Sequence, residues 1–309
     1  MAAEIPADIP FVGEAAPAYG VATQVAPLVR RVVARNPSPY TYWGTVTYIV
    51  GRGRVAVIDP GPDLPEHVDA LMAALEGERV SHILVTHAHR DHSPAAAPLK
   101  ARTGATTCGF GPHRDDRLGP AVEEGADPDF APDERLADGD AIAGEGWTIE
   151  AVHTPGHTSN HLCFALVEER ALFSGDHVMA WSTSVISPPD GDMGAYMASL
   201  DKLLGRDDRV LWPAHGPAVR DPKPFVRAFI AHRRAREAEI MTCLREGRTR
   251  IPEMVAAIYT DVPRQLHPAA ARSVLAHLVH MVETGRVRCA GPPDEAGRYS
   301  AAPDAVGNT

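Results

Sequence analysis

The sequence predicts an α/β fold followed by a small, mostly helical C-terminal domain, and three features carry that reading. Short apolar strand patterns alternate with helical ones over residues 40–103 and again over 147–212, as expected for sheets covered by helices. Two prolines, Pro222 and Pro224, then interrupt the pattern. Beyond them lie three helical patterns and a short β-pair. The expected division is therefore 1–221 for an α/β domain and 222–309 for a winged-helix-like one.

Taken in order, residues 40–50 are rich in aromatic and β-branched side chains and predict a strand or hairpin arm. Residues 55–58 form a short apolar strand that ends at Asp59-Pro60-Gly61. Apolar residues at 64, 68, 71, 72 and 75 predict a helix. Residues 83–85 predict a buried strand, and 93–103 a second helix. Residues 111–140 are polar and rich in Pro, Asp and Gly, and are expected to be mostly loop. Strands are expected at 147–152, 161–167, 171–174 and 210–212, with a helix at 196–204. In the C-terminal part, helices are expected at 225–245, 251–259 and 269–284, and a β-wing at 287–289 and 298–300.

No apolar run approaches the roughly 18 residues of a membrane-spanning helix, so no membrane partner is expected. Residues 1–10 lack a basic segment followed by an apolar one, so no secretory signal is expected. The four cysteines lie far apart with no C-x-x-C pair, which fits free thiols in a reducing, cytoplasmic setting. Of the net charge of −10, residues 222–309 carry thirteen basic against nine acidic side chains, while the rest carries 17 against 31. That balance excludes a basic footprint over the whole chain and marks the tail as a separate module.

Histidine is over-used, with 15 residues. His87-Ala88-His89-Arg90-Asp91-His92 places four ligand-type side chains in six positions at the end of an apolar strand. Imidazole and carboxylate suit zinc, and also iron or manganese. Such crowding of polar groups is costly unless a cation joins them. A solvated histidine-rich loop is the plain alternative for H-x-H alone. The complete motif outweighs it, because His157 in T-P-G-H-T, Asp176 in S-G-D and His215 in A-H-G follow in order at strand ends.

These motifs together resemble the metallo-β-lactamase superfamily over residues 36–217. The resemblance implies a four-layer αββα sandwich with two metals, Zn2+ by preference, at one edge. It implies His87, His89 and His157 on the first ion, Asp91, His92 and His215 on the second, and Asp176 between both. Asp59 matches the first motif of the family and is expected to order the metal loop. His161, four residues after His157, is a candidate for supporting the ligands from behind. The segment N-P-S-P-Y-T-Y-W-G-T-V-T-Y at 36–48 and the tail are similar to the β-lactamase-like protein 2 group, whose animal members are endoribonucleases. His177 stands where those members are expected to have Cys.

Two metals sharing a bridging water would make it a nucleophile near neutral pH, with Asp91 orienting it. The leading expectation is a dinuclear zinc hydrolase of a small ester, thioester, lactone or lactam-like substrate. The alternatives are a single-strand endoribonuclease guided by the tail, and a nucleic-acid-binding protein with a vestigial metal site. Met179, Trp181, Tyr40, Tyr42 and Trp43 are candidate pocket walls, and His113 a candidate for the mouth of the site. Arg227, Arg233, Arg234 and Arg236 read as a solvated basic helix face partnered by Glu237 and Glu239, or as a phosphate-facing stripe. No oligomeric state is implied.

Overall fold

The computed structural model describes residues 9–15, 17–113 and 125–303. Seven strands form the first sheet in sequential order: β1 (Thr23–Ala26), β2 (Val29–Val33), β3 (Val46–Val50), β4 (Arg54–Ile58), β5 (Arg79–Leu84), β6 (Thr106–Gly109) and β7 (Glu134–Arg135). β1 to β4 pair antiparallel and β4 to β7 parallel. Parallel neighbours need a long crossover. Helices α1 (Pro65–Ala74) and α2 (Ala96–Thr103) supply it on either side of β5.

The second sheet holds β8 (Ala141–Gly144), β9 (Trp147–His153), β10 (Leu162–Leu166), β11 (Ala171–Gly175) and β12 (Val210–Pro213), ordered β12-β11-β10-β9-β8. β11 and β12 run parallel, joined through α3 (Met193–Gly205). α3 starts where Asp192 accepts a hydrogen bond from the Ala195 amide at 2.9 Å, which satisfies a free N–H of the first turn.

Three apolar seams make the sandwich. Val46, Tyr48, Leu84, Phe164, Phe173 and Trp212 fill the space between the sheets. Leu71, Ile83 and Leu99 seal the first sheet against α1 and α2. Cys163, Leu172, Tyr196 and Leu200 seal the second against α3. Side chains such as Leu84, fully buried, each contribute about 1.5–3 kcal/mol relative to exposure. β3 is buried along its whole length; its β-branched and aromatic side chains suit that, and its one polar side chain with a hydroxyl on a short stem, Thr47, meets His67 Nε2 at 2.9 Å.

The C-terminal part comprises α4 (Pro222–Arg245), α5 (Ile251–Ile258), α6 (His267–Glu283) and the antiparallel pair β13 (Val287–Cys289) and β14 (Tyr299–Ala301). The expected wing is present. Pro222 and Pro224 do not break a helix but open one. The first turn has no intrahelical acceptors for its N–H groups, so proline costs nothing there. Within residues 40–50 only 46–50 form a strand. Tyr42 takes a positive φ of 58° and turns the chain before β3. The loop expected at 111–140 contains the short β7, and its residues 114–124 lie outside the described residues. The reading of residues 1–10 falls largely on 1–8, also outside them.

Candidate active site

Four chain segments leave the sheets at one edge and converge there: 87–92 after β5, 157 after β9, 176 after β11 and 215 after β12. The backbones of these segments are tied together. The Val46 amide donates to Ala214 O at 2.8 Å, and Ala214 N donates to Gly175 O at 3.0 Å. Two of the turns require glycine. A Cβ on Gly156, at φ +141°, would lie 2.4 Å from Tyr196 Cα, and one on Gly175, at φ +50°, would lie 2.6 Å from His161 Nε2. The T-P-G-H and S-G-D motifs thus owe their glycines to close packing against α3 and His161.

Ligand-type atoms fall into three groups, each spanning less than 4.8 Å: His87, His89 and His157; Asp91, His92 and His215; and His87, His92 and Asp176. His89 Nδ1 lies 3.0 Å from His87 Nε2 and 3.2 Å from His157 Nε2. His215 Nε2 lies 3.1 Å from Asp91 Oδ2 and 3.3 Å from Asp176 Oδ1. His92 Nε2 lies 3.2 Å from Asp91 Oδ2. Yet the buried His92 Nε2 and Asp176 Oδ1 make no hydrogen bond of acceptable geometry. Their lone pairs point into shared space instead of at each other.

Hydrogen bonds on the far side of each ring fix this. Asp59, held at a positive φ of 48°, accepts from the Thr86 amide at 2.8 Å, from Thr86 Oγ1 at 2.9 Å and from His92 Nδ1 at 3.0 Å. Because Thr86 Oγ1 gives its proton to Asp59, it accepts from His87 Nδ1 at 3.0 Å. His157 Nδ1 donates to Val185 O at 2.7 Å, and His215 Nδ1 faces Gly44 O at 3.4 Å. In each case the outward nitrogen is the donor and Nε2 faces inward, where a cation can take the place of any proton held there, the orientation that ligating histidines adopt. The donor set and its orphaned atoms fit a pair of divalent cations.

Electrostatics divide the cluster. Burial, reinforced by His92 and the other imidazoles, drives His87 well below the usual histidine range, and burial with His157 lowers His89 to about 3. Burial opposes the charge on His215 too, but Asp176 and Asp91 overcome it and raise that group to about 10. Asp91 and Asp176 resist the upward pull of burial because His92 and His215 hold them ionised.

The remaining expectations divide as follows. His161 lies behind the cluster, where its Nε2 accepts from the Asp176 amide at 3.2 Å and its Nδ1 meets Thr154 Oγ1 at 2.9 Å. A cavity of about 140 Å³ opens over Asp91, His157, Asp176 and His215, walled by Tyr40, Met179 and Trp181. Tyr42 stacks on Trp181 at 4.9 Å and so supports that wall from behind. His113 does not line the cavity; it faces Asp190 at 3.4 Å. Arg233 is not on a solvated face. It is 4% exposed and donates to Ser184 O. Glu237 pairs with Arg286 at 2.6 Å, leaving Glu239 as the partner of Arg236. Sequence reasoning missed Thr86, Thr45 and Val185, which hold His87, Asp91 and His157; nothing in their residue types marks them.

Comparison with known proteins agrees with this geometry. The chain is 32% identical over 287 residues to a beta-lactamase-like protein 2 homolog of Drosophila melanogaster, covering 88% of this chain and 94% of the relative. It is 32% identical over 247 residues to an atrochrysone carboxyl ACP thioesterase of Claviceps purpurea, covering 77% and 74%. The crystal structure of a beta-lactamase domain protein from Burkholderia ambifaria superposes with a TM-score of 0.76 at 21% identity over 93% of this chain and 95% of that one, which shows the shared fold. Residues 42–215 match the metallo-beta-lactamase superfamily and 251–292 the beta-lactamase associated winged helix domain. The chain therefore belongs to the metallo-beta-lactamase superfamily, as a metal-dependent hydrolase with a C-terminal winged helix domain.

Proposed function

We propose that the protein is a dinuclear zinc hydrolase that cleaves a small activated acyl substrate, a thioester first and an ester, lactone or lactam-like bond second. The observation that carries the reading is the pair of facing three-residue groups with the Asp176 carboxylate between them, within 3.8 Å of His157 Nε2 and 3.3 Å of His215 Nε2. His87, His89 and His157 would hold one ion, Asp91, His92 and His215 the other, and Asp176 both. Two ions so held would supply Lewis acidity and a nucleophile from water at neutral pH.

The chain's own residues do the rest. Asp59 and Thr86 accept from Nδ1 of His92 and His87 and so hold both rings with Nε2 turned into the site. Asp91, whose Oδ2 accepts from Thr45 Oγ1 at 3.2 Å, lines the cavity floor and orients the attacking water. Met179, Trp181 and Tyr40 shield the reacting carbonyl from bulk solvent. Hydrolysis breaks the acyl–sulfur bond. The carbonyl carbon takes the oxygen of water, and the leaving thiolate takes a proton. A cavity of about 140 Å³ admits an acyl head more readily than a stacked nucleotide chain, and the thioesterase relative acts on an acyl carrier, which supports the choice.

Metal analysis of the purified protein is expected to give about two zinc ions per chain. Thioester turnover should exceed that of nitrocefin and of RNA. Asp176→Ala should lose at least about 100-fold in kcat/KM, the scale of a lost electrostatic contact in an active site. At most one ion at saturating zinc, or RNA as the fastest substrate, would overturn the proposal.

A further inference from the structure

Arg233 lies in the middle of α4, 4% exposed, and among the described residues no carboxylate pairs with it. A buried cation is costly without strong partners. Its partners here are the Ser184 carbonyl, to which Nη2 donates, and the face of Tyr196, 5.3 Å from the guanidinium carbon. Both lead to the active site. The next carbonyl along, that of Val185, accepts the Nδ1 proton of His157 at 2.7 Å. Tyr196 Oη donates to His177 O at 2.8 Å, and Ser184 Oγ donates to the same carbonyl at 2.8 Å. His177 directly follows Asp176. A second side of Tyr196 packs against Gly156, the residue before His157, where no Cβ fits.

We propose that Arg233 is a positioning residue through which the C-terminal helix α4 sets the two ligand-type residues His157 and Asp176. The inference rests on the dinuclear reading above. The segment between Asp176 and Val185 is irregular and has no strand to hold it. Arg233 grips it near both ends: at Ser184 directly, and at His177 through Tyr196. The proposal gives α4 a task in the active centre that the similarity of residues 251–292 to a winged helix domain does not assign.

The test uses the full chain and zinc alone, competed against a chromophoric chelator, so that it reads metal affinity and not turnover. Arg233→Met keeps the length and apolar stem of the side chain but removes the donors. Tyr196→Phe keeps the ring and removes only the hydroxyl. Each should weaken zinc binding about 10-fold, the usual cost of losing a residue that orients a ligand. Arg233→Lys, which keeps one donor within reach, should recover part of the loss. Arg236→Met is the control: that guanidinium sits 4.3 Å over Tyr259, away from the loop, and its loss should leave zinc affinity unchanged. Unfolding in chelator is measured alongside, and Arg233→Lys and Tyr196→Phe keep the test decisive if methionine does not fold. Reduced stability with wild-type zinc affinity in both the Arg233 and Tyr196 variants would overturn the proposal alone. Failure of the wild-type protein to bind zinc would overturn it together with the dinuclear reading.

Discussion

At the scale of single residues, the cluster holds two kinds of histidine. His87 and His89 are kept neutral by burial and by neighbouring imidazoles, His92 for the first and His157 for the second, whereas His215 is raised to about 10 by Asp176 and Asp91 against the pull of burial. Protons and cations compete for the same inward nitrogens. At pH 7, below the raised value of His215, cation binding must displace that proton. Zinc affinity should therefore rise with pH from 6 to 9, and protons should be released on binding. Calorimetric titration of zinc in buffers of different ionisation enthalpy checks this; zero proton release at pH 7 would contradict the charge balance described here. The ligand-type residues were legible because H-x-H-x-D-H is dense and strand-end histidines recur in order. Their supports were less so. Asp59, just after β4, stood out only through its match to the first motif of the family, but Thr86 and Val185 act through a hydroxyl and a carbonyl that every threonine and every residue possess. Cys163 makes a poor nucleophile: it is fully buried, and burial pushes its thiol up to about 12.

At the scale of elements, α4, α6 and the wing meet around Glu237. Burial works against its charge, but His277 and Arg286 lower it from 4.5 to about 2. A carboxylate with a depressed folded value stabilises fully above its unfolded value, and the gain fades as pH falls toward the folded one. Glu237→Gln should thus destabilise the chain by about 2 kcal/mol at pH 7, the scale of a charged hydrogen bond. The gap should close between pH 4.5 and pH 2. Urea unfolding of both proteins in chelator measures it, and a gap independent of pH would show that Glu237 acts by packing alone. Element types came through well in the sequence where the period was strong, as in α6 and the wing. β1 and β2 escaped notice because their alternation is broken by Arg30, Arg31 and Pro27; the strand status of Arg30 depends on a distant partner, Glu78 at 2.5 Å. Proline was misread at 222–224 because its effect depends on position in the helix, which the local sequence leaves open.

At the scale of the whole molecule, α4 decides how separable the two parts are. Its first half supplies Phe225, Val226, Phe229 and Ile230 to the seam between the second sheet and α3, while Ile240, Cys243 and Leu244 enter the core formed by α5, α6 and the wing. One rigid helix therefore serves two cores. Dividing the chain at 221/222 assigns all of it to the C-terminal part. We propose instead to test the division by where truncation is tolerated. A chain ending at Asp221 loses the aromatic pair Phe225 and Phe229, whose rings lie 5.4 Å apart and tilted by 35°, together with the Arg233 contact to Ser184. Removing two buried phenylalanines costs about 3–5 kcal/mol each, comparable with the stability of an entire domain. That chain is expected to aggregate or to unfold without cooperativity. A chain ending at Arg245 keeps all of α4, so its first half stays packed, and leaves a shorter apolar stripe at Ile240, Cys243 and Leu244 exposed. It should stay folded and retain zinc, with a lower midpoint in urea. Circular dichroism and zinc content of the two truncations decide the matter. Full zinc occupancy and cooperative unfolding in the chain ending at Asp221 would show that the α/β part stands without α4.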